Sequence, residues 1–145
     1  MFDVNIRFVE HNSNEYNQEI ELRQKILREP LGLHFTKKEL DQESNQLHIC
    51  AFIIDTLAGC VVMVPNGTVL RMRQVAVGND YQGLGIGKLL VQFCEKYAVE
   101  NDYKCIKLHA RENAVPFYTK LDYKTEGDQF IEVGIPHFAM SKYLK

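Results

Sequence analysis

Three glycines at alternate positions, Gly83, Gly85 and Gly87, form the densest chemical signal in the chain. They follow the apolar run Val75-Ala76-Val77 and a short polar loop, Gly78-Asn79-Asp80-Tyr81-Gln82, and they precede a segment of helical spacing that begins at Ile86 and includes Lys88 and Leu90. Alternating glycines let backbone N–H groups approach an anion closely, and the first turn of a helix adds unpaired donors and the positive end of its dipole. That is the chemistry of a phosphate or pyrophosphate site. Two common patterns do not fit it. A dinucleotide fingerprint needs Gly or Ala where Lys88 stands, and a P-loop needs Gly at Gln82 and Ser or Thr at Leu89. What remains is a Q-x-x-G-x-G spacing made by Gln82, Gly85 and Gly87.

Proton acceptors are numerous by type and none is singled out by spacing. His34, His109, His137, Glu29, Glu112 and Glu132 all qualify, because an imidazole or a raised carboxylate titrates near neutrality. His109 falls in mid-strand and reads as a hydrogen-bonded sheet histidine; Glu29 and Glu112 read as solvated charges at helix ends. In Glu132-Val133-Gly134-Ile135-Pro136-His137, Gly134 and Pro136 are expected to interrupt strand pairing and to hold Glu132 and His137 off the ladder. No G-x-S-x-G elbow, H-E-x-x-H pair or cluster of metal ligands occurs, so hydrolase and metalloenzyme chemistry drop out and no metal is expected. Cys50, Cys60, Cys94 and Cys105 form no C-x-x-C pair and read as reduced, buried, inert thiols.

The elements that must position these groups follow from periodicity. Val4–Val9 alternates as a half-buried strand, and a helix capped by Asn12 or Ser13 runs to about Arg28, stopped by Pro30 and Gly32. Thr36 and Glu39 are spaced as a capping box for a short turn over 36–42. Strands at His48–Asp55, Gly59–Pro65 and Val69–Val77 are rich in β-branched residues, the last two joined by a type I′ turn at Asn66-Gly67, and the three are expected to be sequentially antiparallel. Ile86, Leu90, Phe93, Cys94 and Tyr97 give one face of a helix to about Glu100. A strand at Lys104–Ala110 follows, then a short helix with Ala114, Phe117, Tyr118 and Leu121 on one face, Asn113 as its cap and Pro116 in its first turn. Strands near Tyr123–Thr125 with Phe130–Glu132, and near His137–Tyr143, end the chain. The order describes one α/β domain over 1–145, a mixed, mostly antiparallel sheet with helices on both faces.

Composition narrows the function further. The 145 residues are 46% hydrophobic and 25% charged with a net charge of −2, the balance of an ordinary globular domain without a basic footprint for nucleic acid. No apolar stretch approaches the roughly 20 residues of a membrane span, so no membrane association is expected. Met1–Arg7 lacks the layout of a signal peptide, and cytoplasmic residence is the expectation.

The loop at Gln82, Gly85 and Gly87 resembles the Q/R-x-x-G-x-G/A loop of the GNAT superfamily of acyl-CoA N-acyltransferases. Val75-Ala76-Val77 resembles the family's bulged fourth strand, and Asn113-Ala114-Val115-Pro116-Phe117-Tyr118-Thr119-Lys120-Leu121-Asp122-Tyr123 resembles its later N-x-x-x-x-F/Y-Y-x-K-x-G-F segment, with Asp122 in place of the usual Gly. The order of elements is similar as well, and Glu132–His137 resembles a segment of the ElaA-like branch of small bacterial GNAT proteins.

The resemblance implies a GNAT fold whose fourth and fifth strands splay apart, and acetyl-CoA as co-substrate. It implies that the amides of Gln82, Gly83, Leu84, Gly85, Ile86, Gly87 and Lys88 hold the pyrophosphate, that the backbone of Val75, Ala76 and Val77 holds pantetheine, and that Asn113 touches the same arm. By the same resemblance an N–H at or near Val77 serves the oxyanion and Tyr118 protonates the leaving thiolate, with Glu132 and His137 at the acceptor mouth. The implied reaction is direct attack of a primary amine, from a small molecule or a protein, on acetyl-CoA in a ternary complex. A non-catalytic acyl-CoA sensor, a preference for longer acyl chains and a homodimer are also compatible with the residues.

Overall fold

The structure, a computed structural model, describes residues 3–144. Seven strands, β1 (Val4–Val9), β2 (Leu47–Ile53), β3 (Thr56–Asn66), β4 (Val69–Val77), β5 (Cys105–Arg111), β6 (Lys124–Glu132) and β7 (Ile135–Tyr143), form a sheet in the order β1-β2-β3-β4-β5-β7-β6. The helices are α1 (Asn14–Arg23), α2 (Lys37–Asp41), α3 (Ile86–Glu100) and α4 (Val115–Lys120). The pairs β1–β2, β2–β3, β5–β7 and β6–β7 are antiparallel, whereas β4 and β5 are parallel. Their pairing covers only Val69–Met72 against Cys105–Leu108, although β4 continues to Val77 and β5 to Arg111. The two strands therefore part beyond Leu108, as the expected splay requires. By packing, the chain groups into two compact units, one of residues up to Val64 with Gln74–Cys94, the other of Pro65–Arg73 with the chain from Glu95 onward.

In the first unit β2 and β3 are buried almost continuously, the pattern of strands covered on both faces. Gly59 permits a close approach: a Cβ there would lie 3.1 Å from the Ala76 carbonyl oxygen, Ile86 Cγ2 and Leu90 Cδ1, so α3 packs directly on the strands that flank it. Ser13 rather than Asn12 caps α1, its Oγ accepting from the Tyr16 N–H at 3.1 Å, while Asn12 takes a left-handed φ of 65°. The helix passes into a π-helical stretch over Gln24–Arg28 before a 3₁₀ turn and Gly32 end it. The capping box at Thr36 and Glu39 is present.

Several boundaries differ from the sequence expectation. Asp55 leaves β2 for a turn in which Ile54 and Asp55 both have positive φ. Asn66 stays in β3 and the turn is Gly67-Thr68, with positive φ at Gly67 only, the φ pattern of a type II′ rather than a type I′ hairpin. Asn113 does not cap α4; it lies in a 3₁₀ turn, and Ala114 occupies the cap without a side-chain bond. Pro116 does sit in the first turn, where its missing N–H costs nothing. Asp122 adopts the left-handed conformation, φ 72°, that the usual Gly would take. The strand expected near Tyr123–Thr125 with Phe130–Glu132 is β6, which begins at Lys124 and carries a register shift between Glu126 and Phe130.

Gly134 and Pro136 do not hold Glu132 and His137 off the ladder. Glu132 pairs with Ile135, Ile131 with Pro136 and Phe130 with His137, so only Val133-Gly134 leave the sheet. Proline is accommodated because β7 gives up one N–H without losing the alternation of its side chains.

Candidate functional site

The glycine loop belongs to the first unit. After β4, a 3₁₀ turn (Asn79–Tyr81) is tied back to β3 by the Gly78 N–H donating to the Ala58 carbonyl at 2.8 Å. Gly83 and Gly85 have φ of 81° and 84°, and a Cβ on either would meet nothing within 4 Å. The Leu89 N–H donates to the Gly85 carbonyl at 3.1 Å, so Gly85 is the residue at which α3 begins and the amides of Ile86, Gly87 and Lys88 are its unpaired first-turn donors. Ile86 and Leu90 are buried and anchor this end of the helix. The Gln82 side chain, expected only as part of a phosphate-facing backbone, does something more: its Nε2 donates to the Val77 carbonyl at 3.0 Å and lies 3.4 Å from Asn79 Oδ1, closing the loop onto the end of β4. Gln74, immediately before Val75, has a positive φ of 54°, which turns the strand out of regular geometry where a bulge was expected. An open, rigidly anchored arc of backbone amides at a helix N-terminus fits an anionic diphosphate.

The second unit holds the other residues. Tyr118 lies on the buried face of α4, its ring edge-on to Phe117 at 5.0 Å and to Tyr123 at 5.7 Å. Tyr123 in turn donates from its hydroxyl to Glu95 at 3.0 Å, and Lys142 donates to the same carboxylate at 3.1 Å. Across β4, β5, β7 and β6, a polar cluster collects on one face. Glu132 Oε1 is 3.0 Å from His109 Nδ1, and Glu132 Oε2 is 3.7 Å from His137 Nε2. His137 Nδ1 is bound to the Ile135 carbonyl at 2.8 Å, Arg71 Nη2 is 3.0 Å from His109 Nδ1, and the Phe130 ring is edge-on to His109 at 4.9 Å and stacked on His137 at 6.0 Å. The structure thus brings together three of the six candidate bases. His34 stands apart, bonded to Gln24, and Glu29 and Glu112 lie in 3₁₀ turns. Arg71 and Phe130 were not anticipated: Phe130 pairs directly with His137, and Arg71 with Lys107, two residues before His109, a register that no local pattern shows.

A second cluster, in the first unit, escaped the sequence entirely. Tyr16, Glu19 and Arg23 form the buried stripe of α1, and Glu43 and His48 complete it. Arg23 donates to Glu19 at 2.7 Å and to both oxygens of Glu43; Tyr16 donates to Glu43 at 2.7 Å. His48 Nδ1 is 3.0 Å from Glu19 and its Nε2 is 3.0 Å from the Glu43 carbonyl. Both ring nitrogens face acceptors, so the imidazole donates from both and is charged. Burial opposes that charge, but the bond to Glu19 and the carboxylate's field raise the His48 pKa above its ordinary value. Burial likewise opposes the Glu43 charge, and the Arg23 guanidinium overcomes it and holds the carboxyl below the usual range. Two cations and two anions cancel. Glu19, Glu43 and His48 have the geometry of a cation site, yet the guanidinium already occupies the carboxylates. The nearby Cys50 and Cys60 thiols are pushed up by burial, and all four cysteines are buried, in keeping with inert thiols. Among the described residues no helix is long and apolar enough to cross a membrane.

Comparison with known proteins now meets a defined geometry. A Bacillus subtilis (strain 168) protein provisionally named an acetyltransferase is 30% identical over 95 residues, 66% of this chain and 65% of that protein, so the chain spans less than two thirds of this relative's length. A Lactobacillus plantarum structure, provisionally described as an N-acetyltransferase, superposes with a TM-score of 0.86 at 22% identity over 98% of this chain and 99% of that one. Escherichia coli ElaA superposes with a TM-score of 0.82 at 16% identity over 97% and 99% of the two chains. Both share the fold. The pattern described as an acetyltransferase (GNAT) domain matches residues 12–144, and the chain belongs to that family.

Proposed function

We propose that the chain, acting as one cytoplasmic domain, transfers an acetyl group from acetyl-CoA to the primary amine of a small molecule or protein by direct attack, without a covalent enzyme intermediate. The observation that carries this reading is the arc from Gln82 to Lys88, in which Gly83 and Gly85 take conformations and leave space that side chains would not, at the head of a firmly packed helix. In this reading the amides of that arc hold the pyrophosphate, and backbone groups of Val75, Ala76 and Val77, with Asn113, hold the pantetheine arm. Acetyl-CoA supplies an activated thioester carbonyl. The N–H of Val77 donates to the oxygen that becomes negative, where preorganised dipoles are most effective. Tyr118 gives its hydroxyl proton to the departing thiolate, and its packing against Phe117 and Tyr123 restricts the ring to one orientation. Glu132 and His137 form part of the acceptor side, the carboxylate attracting an ammonium group.

The test combines binding and turnover. Acetyl-CoA should raise the melting temperature, and Gly85→Asp should remove the rise, because a carboxylate would face the pyrophosphate and a side chain is strained at φ 84°. A screen of alkylamines, amino sugars, aminoglycosides and lysine peptides, read by release of CoA thiol, should find a substrate. With it, Tyr118→Phe should lower kcat by about 10²–10⁴-fold at nearly constant KM. Undiminished stabilisation of the Gly85 variant, or acetyl-CoA binding with no amine acetylated, would count against the assignment.

A further inference from the structure

His109 is the first residue of β5 beyond the last β4–β5 pair, Met72 with Leu108, so it stands where the two strands begin to part. Three neighbours fix its ring: Glu132 and Arg71 at Nδ1, each at 3.0 Å, and the Phe130 edge at 4.9 Å. A carboxylate only accepts, so the nitrogen that faces it carries the hydrogen. Arg71 Nη2 is also a donor and cannot bond a protonated Nδ1, so of the two contacts at that nitrogen the one kept is the charge-assisted bond to the Glu132 carboxylate. The lone pair is then left on Nε2. Among the described residues no hydrogen-bond partner meets Nε2, and the side chain is 33% exposed. His137 is less open: its Nδ1 is committed to the Ile135 carbonyl and its side chain is only 5% exposed, so it lines the acceptor side without offering the freer nitrogen. Beyond Arg111 a 3₁₀ turn over Glu112–Ala114 leads into α4, which bears Tyr118, the residue assigned to protonate the thiolate.

We propose that His109 is the proton acceptor for the substrate ammonium group, and that Glu132 is a positioning residue that holds the ring with hydrogen on Nδ1 and the lone pair on Nε2. This rests on the N-acetyltransferase reading above. The ammonium N–H bond breaks and its proton goes to His109 Nε2; the freed nitrogen pair forms the C–N bond and the C–S bond breaks. The second amine proton replaces the one Tyr118 gives to the thiolate, and the imidazolium returns its proton to water. One proton is released per turnover and no oxidant or reductant is involved. The titratable and charged groups that face His109 are Glu132 on β6, His137 on β7 and Arg71 on β4, with Lys107 and Arg111 on the same face of β5 itself.

Two measurements test it. ¹⁵N NMR of histidine-labelled protein should show the hydrogen of the neutral His109 ring on Nδ1, and Glu132→Ala should shift the ring toward a mixture of tautomers; a neutral ring protonated at Nε2 in the wild type overturns the role of Glu132. With the amine found in the screen, His109→Gln should lower kcat/KM by about 10²-fold or more and abolish the acidic limb of its pH profile, while acetyl-CoA still raises the melting temperature. Free imidazole should restore turnover to His109→Ala. Wild-type turnover with His109→Gln within about threefold of it and the limb intact overturns the proposal alone. A wild type that binds acetyl-CoA yet acetylates no amine removes the transferase reading, and this inference with it.

Discussion

Two histidines in this molecule meet a glutamate through the same ring nitrogen and end in different surroundings. His48 Nδ1 is 3.0 Å from Glu19, and His109 Nδ1 is 3.0 Å from Glu132. The difference lies at the other ring nitrogen and in the surroundings. His48 has the Glu43 carbonyl at Nε2, is almost fully buried, and belongs to a set in which Arg23, Glu19 and Glu43 cancel its charge. His109 is partly exposed and its Nε2 is bare among the described residues. Both ring nitrogens of His48 are bonded, which removes any capacity for exchange with a substrate, although the Arg23 Nε of the same cluster is buried without a partner among the described residues. A histidine on an open face keeps one nitrogen for chemistry. The residue pair alone does not specify a role; the number of satisfied atoms does.

That contrast predicts a graded series of stability effects. Arg23→Met should be the most damaging, costing about 3–5 kcal/mol in urea unfolding, because Glu19 and Glu43 would be left buried and uncompensated. Replacing Tyr16, Glu19, Arg23, Glu43 and His48 together by Phe, Leu, Met, Leu and Leu should recover most of that loss, since apolar residues of similar volume need no partner and no bonded group of the cluster is left behind. A fivefold variant no more stable than Arg23→Met would mean that the cluster is not a closed set.

A smaller, reversible effect should appear with pH. The raised His48 pKa gives stability that is complete below about pH 6.5, the ordinary imidazole value, and is lost as pH rises through the folded value. The lowered Glu43 pKa gives stability that is complete above about pH 4.3, the ordinary glutamate value, and is lost as pH falls through the folded one. The cluster is therefore most favourable between those two values. His48→Gln should flatten the alkaline side of the stability curve and Glu43→Gln the acidic side; unchanged curves would show that neither group titrates differently on folding.

The open cluster should contribute least. Arg71→Ala should cost less than about 1 kcal/mol, the ordinary range for exposed pairs, and the loss should shrink further with added salt. A loss comparable to that of Arg23→Met would mean that Arg71 is held in a desolvated site, and the contrast between the clusters would fail.

Local signals were legible where chain neighbours decide conformation. The helix over Ile86–Glu100, the capping box at Thr36 and Glu39, Pro116 in the first turn of α4 and the glycine loop all depend on residues within a few positions of one another. The errors were also local, but at points where two nearby choices compete. Ser13 took the cap from Asn12, and the turn moved one residue from Asn66-Gly67 to Gly67-Thr68 because Asn66 remained paired in β3. Likewise, Glu132 and His137 entered the ladder because strand pairing outweighed the interruption that Gly134 and Pro136 suggested.

By itself the sequence determined the element order, the family and the glycine loop, since periodicity, turn chemistry and backbone freedom at Gly83 and Gly85 are properties of short segments. Only tertiary structure decided which polar residues act together. Tyr16, Glu19 and Arg23 look like the solvated face of a helix until β2 and the segment around Glu43 cover them, and His109 looks like any sheet histidine until β6 brings Glu132 to its Nδ1. Glu19 and His48 are 29 residues apart, and His109 and Glu132 are 23 apart. Over such separations the protonation and burial of a side chain depend on which distant atoms surround it, and no local pattern carries that information.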